Sequence, residues 1–139
     1  MLMTGRIFVD SNIWVYLFTK EDNPKRGIAE SFIAKNAGEN TLVISWQVVN
    51  EVSNVLKKKG FSEPDIRFVV ESMTRLCIVR DYEKEIVLSA SALRENHSFS
   101  FWDSHIVAGA LAAGCDVLAS EDMQHGRIIE RLIIQNIFA

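Results

Sequence analysis

Four acidic residues stand at positions where a charged side chain is costly. Asp10 directly follows a short apolar run, Asp122 comes just after another, and Glu51 and Asp103 each lie in an apolar stripe with helical spacing. A buried carboxylate needs hydrogen bonds, a cation or a metal ion to compensate its charge. Because none of them is accompanied by a nearby Lys or Arg on the same face, these acids predict a site for divalent cations.

Composition and charge narrow the class of protein. The 139 residues are 48% hydrophobic and 24% charged, which predicts one globular domain over residues 1–139 with a sizeable core. A net charge of −3 gives no general attraction to nucleic acid or to anionic membrane, so contact with RNA would need a local basic patch or a metal ion. The absence of a long apolar run or a signal segment predicts a cytoplasmic protein without membrane contact. Cys77 and Cys115 lack a CxxC partner and are interpreted as buried free thiols in a reducing cytosol.

Strand-like and helix-like runs alternate along the chain. Strands are predicted over residues 6–9, 40–45, 77–79, 116–120 and 132–134, with residues 1–4 as a lead-in to the first. Helices are predicted over residues 12–19, 46–59, 82–96 and 101–113, with another beginning at Pro24 and one running from about Ser62 to Leu76. This alternation predicts right-handed crossovers and an α/β fold, in which a mostly parallel central sheet of four or five strands lies between two helical layers.

The predicted fold brings the acids to one edge of the sheet. In an open α/β sheet the site forms beyond the carboxyl ends of the strands, where strand order reverses. Asp10 and Asp122 follow the first and fourth predicted strands, whereas Glu51 and Asp103 lie in the first two turns of their helices. We therefore expect all four carboxylates to face the fold at that edge.

Each acid also has a purely structural interpretation. Asp10 and Asp122 are acceptable helix N-caps or turn residues, and Asp103 would stabilise a helix N-terminus through the helix dipole. Glu51 is harder to explain in this way, since Glu is rarely buried without a partner. The joint occurrence of the four acids is more informative than any one of them.

Five short motifs carry a family resemblance over essentially the whole chain. They are FVDSNIW at residues 8–14, VNEV at 49–52, FWDS at 101–104, LASEDMQHG at 118–126 and QNIF at 135–138. In this order and spacing they resemble the PIN-domain family, and more narrowly the toxin ribonucleases of VapBC-type toxin–antitoxin pairs of bacteria and archaea. The resemblance implies a three-layer PIN-like fold and a metal-dependent endoribonuclease.

The resemblance also assigns roles to individual residues. The three central acids of the family fall on Asp10, Glu51 and Asp103, and the fourth falls on Asp122. The supporting polar residues fall on Asn12, which helps to arrange the first acid, and on Ser120, two residues before the fourth. For the fourth acid, Glu121 and Asp116 remain alternatives.

The ligand types indicate which metal the site takes. Acidic oxygen ligands, with no His-rich cluster to compete, suit Mg²⁺ or Mn²⁺ rather than zinc. One or two such ions can activate water and stabilise the leaving oxygen of an RNA phosphodiester. We expect Asp10 and Asp103 to hold the principal ion and Glu51 and Asp122 to complete the acidic ring. No direct catalytic role is expected for the histidines, which are His97, His105 and His125.

The expected partners are an RNA substrate, a cognate antitoxin protein and a second copy of the chain in a homodimer, all implied by the resemblance. Lys57, Lys58 and Lys59 would track an RNA backbone or form a solvated helix end. Among the aromatic residues, for which packing is the common role, Trp14 and Trp102 are the best candidates for RNA contact.

Two other classes of protein remain as alternatives. A phosphoacceptor or phosphatase of α/β type would also place Asp at the end of its first strand, but it needs a late Lys, and this chain has none after Lys84. Such a phosphatase would also have an acid where Asn12 stands. A PIN-like binding domain without activity is the second alternative, and the intact set of four acids argues against it.

Overall fold

The chain was analysed as a computed structural model, which describes residues 5–20, 23–81 and 83–139. The predicted lead-in at residues 1–4 and the predicted helix start at Tyr82 lie outside the described residues. Within the described helices, none is long and apolar enough to cross a membrane.

The centre of the fold is one mostly parallel sheet. Its strands among the described residues are β1 (Arg6–Val9), β2 (Thr41–Ser45), β3 (Ile78–Arg80), β4 (Val117–Ala119), β5 (Ile128–Ile129) and β6 (Leu132–Gln135). They lie in the order β3-β2-β1-β4-β6-β5. All pairings are parallel except the antiparallel β5–β6 pair at one edge, so the predicted mostly parallel sheet is confirmed.

The one unpredicted strand is β5. It contains only Ile128 and Ile129, too short a run to show the alternation that identifies a strand. It forms a tight hairpin with β6 through Glu130, whose φ of 54° is in the left-handed region.

Six helices in the described part of the chain surround the sheet, at positions close to those predicted. They are α1 (Ser11–Phe18), α2 (Pro24–Glu39), α3 (Trp46–Lys58), α4 (Glu63–Leu76), α5 (Lys84–Asn96) and α6 (Phe101–Ala112). Most begin at a side-chain cap: Asn23, Ser45, Ser62 and Ser100 each accept a hydrogen bond from a backbone N–H of the first turn. These caps explain why the helix starts were readable from the sequence.

The core covers both faces of the sheet. Successive side chains of a strand point to opposite faces, yet Phe8 and Val9 of β1 are both fully buried, as are Val43 and Ile44 of β2. A central parallel strand buried on both faces requires helices on each side. The three-layer α/β/α architecture is therefore confirmed.

Strand order reverses next to β1. From β1 the chain continues outward through β2 and β3 on one side, whereas β4 and β6 lie on the other side. Val9 is paired with Ala119, and the backbone N–H of Asp10 donates to the carbonyl of Ala119 at 3.0 Å. The carboxyl ends of β1 and β4 thus meet at the crevice where open α/β sheets bind ligands.

The two cysteines are structural. Both are free; Cys115 is buried and Cys77 half-buried. Burial raises the pKa of each thiol to about 12, so both stay protonated, and hence poorly reactive, at neutral pH.

Candidate active site

Asp10 is the best-defined acid at this crevice. It follows β1, caps α1, and is only 5% exposed. Its Oδ1 accepts the backbone N–H of Ser11 at 2.7 Å, and its Oδ2 accepts the hydroxyl of Ser120 at 2.9 Å. The helix-cap interpretation and the site interpretation therefore describe the same side chain, since one carboxylate oxygen is enough to cap the helix.

The charge of Asp10 is poorly compensated. The pKa of Asp10 is raised to about 6, chiefly by burial, and the nearby charges of Glu51 and Asp103 contribute in the same direction. The hydrogen bonds from Ser11 and Ser120 act in the opposite direction but do not cancel the effect of burial. A cation beside this carboxylate would supply the missing compensation.

Glu51 is connected to Asp10 through Ser11. The Ser11 hydroxyl donates to Glu51 Oε2 at 3.0 Å, and the Gln47 amide nitrogen donates to Glu51 Oε1 at 2.8 Å. Val48 and Val52 are buried and fix α3, the helix that carries Glu51, against the core. The sequence analysis missed Ser11 and Gln47; for Gln47 the signal was available, because residues four apart on a helix are neighbours.

Asp103 is held by the first turn of α6. Its backbone N–H donates to the Ser100 hydroxyl at 3.2 Å. Arg94 of α5 supports the same turn, donating to the Ser104 hydroxyl at 2.7 Å and placing its guanidinium carbon 4.6 Å from the centre of the Phe101 ring. The sequence analysis did not predict a role for Arg94, because its contacts with Ser104 and Phe101 join two different helices. We refer to Asp10, Glu51 and Asp103 together as the acidic site.

The three candidates for the fourth acid, Asp122, Asp116 and Glu121, lie in different surroundings in the structure. Asp122 is exposed and is not among the charges that shift the pKa of Asp10. The expectation that all four carboxylates face the fold is therefore wrong for Asp122: residues 121–123 form a bend in which the Asp122 side chain is exposed while that of Met123 is buried. Asp116 lies at the opposite end of β4, where its carboxylate accepts the backbone N–H of Arg6 at 3.2 Å.

Glu121 is occupied by other partners. Its Oε1 accepts the Tyr16 hydroxyl at 2.8 Å, and its Oε2 lies 2.7 Å from the Lys25 ammonium. This hydrogen bond with Glu121 is the main cause that raises the pKa of Lys25. The sequence analysis found no Lys or Arg on the same face as the acids, and Lys25 reaches Glu121 because α2 packs beside α1.

Polar residues border the acidic site on the side of α1. Asn12 is half-buried and lines a shallow depression together with Ser11, Tyr16 and Lys59. Of the three consecutive lysines, Lys59 is thus the one beside the site, whereas Lys57 pairs with Glu63.

The two tryptophans singled out for RNA contact differ sharply in exposure. Trp14 is fully buried, and its indole N–H donates to the Val9 carbonyl at 3.3 Å; its prediction as an RNA contact is wrong. Trp102 is 60% exposed. His105, by contrast, is buried and its Nδ1 lies 2.8 Å from the Phe101 carbonyl, so it belongs to the support of α6.

The acidic site suits a divalent cation in charge and in donor type. Its carboxylate and hydroxyl oxygens are the ligands that Mg²⁺ and Mn²⁺ prefer, and the buried Asp10 carboxylate lacks a cationic neighbour of its own. Among the residues that the structure describes, no three acidic, His or Cys side chains enclose a single ion-sized position. The fit thus rests on donor chemistry and on the uncompensated charge of Asp10.

The sequence was compared with protein-family models and with curated proteins. The PIN domain model matches residues 7–130. A search of curated proteins finds no match.

Three similar solved structures come from bacteria. Mycobacterium tuberculosis VapC20, a sarcin–ricin loop cleaving toxin, is 18% identical, with a TM-score of 0.67 over 81% of this chain and 86% of that one. Rickettsia felis VapBC2 bound to a promoter DNA fragment is 20% identical, with a TM-score of 0.71 over 94% and 98% of the two chains. DNA-bound VapBC of Salmonella typhimurium is 17% identical, with a TM-score of 0.69 over 97% and 99%. At these identities the likeness shows a shared fold.

Proposed function

Because the chain belongs to the PIN-domain family, we propose that it is a metal-dependent endoribonuclease and the toxin of a VapBC-type toxin–antitoxin pair. The observation that carries this proposal is the enclosed carboxyl of Asp10, whose pKa is raised to about 6 and which has Glu51 and Asp103 as its acidic neighbours. A buried carboxylate with two half-buried acidic neighbours costs stability unless a cation compensates its charge.

The structural relatives support the choice of substrate and partner. VapC20 is described as a toxin that cleaves the sarcin–ricin loop, and two further relatives are VapBC complexes bound to DNA. By analogy we assign RNA as the substrate and an antitoxin as the protein partner. A homodimer, a cytoplasmic location and a single nuclease domain over residues 1–139 complete the proposal.

PIN nucleases generally use divalent metal ions, and we assign Mg²⁺ or Mn²⁺ to this site. Asp10 and Asp103 would hold the principal ion and Glu51 would complete its acidic surroundings. Asp122 is the outermost candidate, since its side chain is exposed. When bound, such an ion lowers the pKa of a water molecule and stabilises negative charge on phosphodiester oxygens.

The residues of the chain itself hold the carboxylates in position. Ser120 and the Ser11 backbone each donate to one oxygen of Asp10, which fixes the direction in which its remaining lone pairs point. The Ser11 hydroxyl and the Gln47 amide each donate to one oxygen of Glu51 and hold its carboxylate in place. Such oriented, partly desolvated groups contribute to catalysis because they need no rearrangement during the reaction.

The first experiment compares two Asp→Asn substitutions on RNA cleavage. Asp10→Asn removes a ligand charge at the carboxyl end of β1, whereas Asp116→Asn makes the same chemical change at the opposite end of the sheet. We expect cleavage of purified cellular RNA in Mn²⁺ or Mg²⁺ to fall about 100-fold or more in Asp10→Asn and to persist in Asp116→Asn. Excess EDTA should abolish cleavage by the natural protein.

Two results would contradict this function. Cleavage that continues unchanged in EDTA would exclude metal dependence, and equal cleavage by Asp10→Asn would exclude the acidic site. A natural protein that cuts no RNA in either metal, yet still binds RNA or antitoxin, would favour the PIN-like binding domain instead.

A further inference from the structure

Trp102 is a large aromatic side chain that the fold leaves accessible. It directly precedes Asp103 of the acidic site and is 60% exposed. Its ring is supported by two others, with the centre of the Phe101 ring 5.0 Å away and that of His105 5.6 Å away. Packing on the core does not account for this residue, because most of its surface faces outward.

Three amide side chains of α3 lie opposite Trp102. Gln47, Asn50 and Asn54 share one helix face with Glu51, since they stand at spacings of three, four and seven residues. These four residues and Trp102 line one open depression of about 400 Å³. Gln47 is bonded to Glu51, whereas Asn50 and Asn54 are exposed and make no side-chain hydrogen bond within the described part of the chain.

We propose that Trp102 and these α3 amides form a subsite for one unpaired nucleobase of the RNA. This inference rests on the proposed ribonuclease function. The indole face would stack on the base, while Asn50 and Asn54 would hydrogen-bond to its edge, the two kinds of contact by which proteins recognise single-stranded RNA. Because Glu51 lines the same depression, a base held there would set the position of the neighbouring phosphodiester bond at the acidic site.

The lining favours a base over the phosphate backbone. The depression contains one aromatic ring, three amides and one carboxylate, with no Lys or Arg among them. Phosphate contact needs cations, and Lys59 lines a different depression, the one beside Ser11 and Asn12. The depression beside Trp102 therefore suits a base better than a phosphate.

A second copy of the chain is the competing occupant. The apolar surface continues past Trp102 to Trp46, Val87 and Phe101, and this part would suit a protein contact. The amides beside Trp102 argue against it, because a dry protein interface would desolvate Asn50 and Asn54 without giving them partners. The experiment below separates the two occupants.

The test measures RNA binding by non-cleaving Asp10→Asn protein carrying a second substitution. The probes are short single-stranded RNAs of one base type each (oligo-A, oligo-C and oligo-U) and an abasic ribose-phosphate strand of the same length, followed by fluorescence anisotropy. We expect Trp102→Leu to weaken binding of at least one base-bearing strand about ten- to hundredfold and to leave the abasic strand unaffected. Trp102→Phe, which keeps an aromatic face, should retain most of the binding.

Phe68→Leu is the matched control. Phe68 is 66% exposed on α4 and does not line the depression of Trp102, so its loss should not change the difference in affinity between base-bearing and abasic strands. Melting curves should show both Leu variants folded, because each side chain is mostly exposed. Equal affinities of Trp102→Leu and its parent for every strand, including no binding at all, would overturn the subsite.

Cleavage and size measurements separate the remaining outcomes. If the single Trp102→Leu variant cleaves RNA in Mn²⁺ as fast as the natural protein, the subsite is wrong while the ribonuclease function stands. If the natural protein does not cleave, the proposed function itself fails. If Trp102→Leu converts a dimer to a monomer and weakens base-bearing and abasic strands equally, the face is an interface between copies and the subsite is overturned.

Discussion

At the scale of single residues, the molecule keeps a carboxyl group where its charge is unfavourable. The pKa of Asp10 is raised to about 6, chiefly by burial, so the folded protein binds that proton more tightly than the unfolded chain does. The contribution of Asp10 to stability is therefore greatest below about pH 4, the ordinary range of Asp. It decreases as pH rises from about 4 to about 6, by roughly 3 kcal/mol in total.

Asp10→Asn should therefore stabilise the metal-free protein at neutral pH. The amide removes the buried charge and can still accept one of the two hydrogen bonds that Asp10 receives. We expect the melting temperature in EDTA at pH 7 to rise by several °C and the difference between the two proteins to vanish near pH 4. Melting curves at both pH values measure this.

Added metal should reverse the order of stability at Asp10. A ligand that binds only the folded state at 100 times its Kd stabilises by about 2.7 kcal/mol, and excess Mn²⁺ should give that gain to the natural protein but much less of it to Asp10→Asn. If Asp10→Asn melts below the natural protein in EDTA at pH 7, Asp10 acts as a helix cap and the account of an uncompensated charge is wrong.

At the scale of elements, the position of Asp103 depends on how α5 supports α6. The Arg94 side chain bonds to Ser104, which is fully buried, and lies over the Phe101 ring. Asp103 stands between these two residues, so Arg94 holds the turn that carries an acid of the site without touching that acid. We regard Arg94 as a positioning residue.

Replacing Arg94 should weaken both the fold and metal binding. Arg94→Met keeps the aliphatic length but loses the hydrogen bond and the cation–π contact, which together are worth about 1–3 kcal/mol. Urea denaturation should show this loss, and the Mn²⁺ concentration that gives half-maximal thermal stabilisation should rise. Arg75→Met is the control, since Arg75 is exposed on α4 and, within the described part of the chain, pairs with the exposed Glu71 at 3.7 Å.

A second variant distinguishes positioning from simple stability. Arg94→Lys keeps the positive charge and one donor, and should recover part of the Mn²⁺ response. An Arg94→Met protein that is destabilised yet binds Mn²⁺ with unchanged affinity would show that Arg94 serves the fold alone.

At the scale of the whole molecule, strand order creates an anionic crevice that a partner can close. Asp10, Glu51 and Asp103 come from three separate elements. Asp10 follows β1, and Glu51 lies in α3, which begins where the neighbouring parallel strand β2 ends. Asp103 lies near the start of α6, close enough for its charge to raise the pKa of Asp10. A flexible antitoxin segment with Arg or Lys would pair with these carboxylates through charge-assisted hydrogen bonds.

We therefore expect the antitoxin to inhibit by covering the acidic site. The protein encoded by the neighbouring small reading frame would be co-purified with this chain, and its Arg and Lys residues replaced one at a time. In the intact complex, Mn²⁺ should no longer raise the melting temperature, and one basic substitution should restore both that response and RNA cleavage. A complex that leaves Asp10 and Asp103 open and still responds to Mn²⁺ would contradict this mode of inhibition.

Local sequence determined the elements and their order. Helix caps such as Ser62 and Ser100 and short β-rich runs depend on residues a few positions apart, so the helices and the longer strands were predicted to within about two residues. Their alternation was enough to predict a mostly parallel sheet, and the motifs around Asp10, Glu51 and Asp103 were enough to indicate the family.

Contacts between distant residues were decided only by the tertiary structure. The Ser11–Glu51 and Lys25–Glu121 contacts join residues far apart in sequence, and no periodicity records which side chains meet across elements. The solvent exposure of single side chains could not be predicted from the sequence for the same reason. Trp14 and Trp102 both lie beside an acid motif, yet Trp14 is fully buried with its indole bonded to β1, whereas Trp102 of α6 is 60% exposed. Asp122 also comes after a strand, but it lies in a bend that exposes its side chain and buries that of Met123, and the residue types alone do not show which side chain of a bend faces solvent.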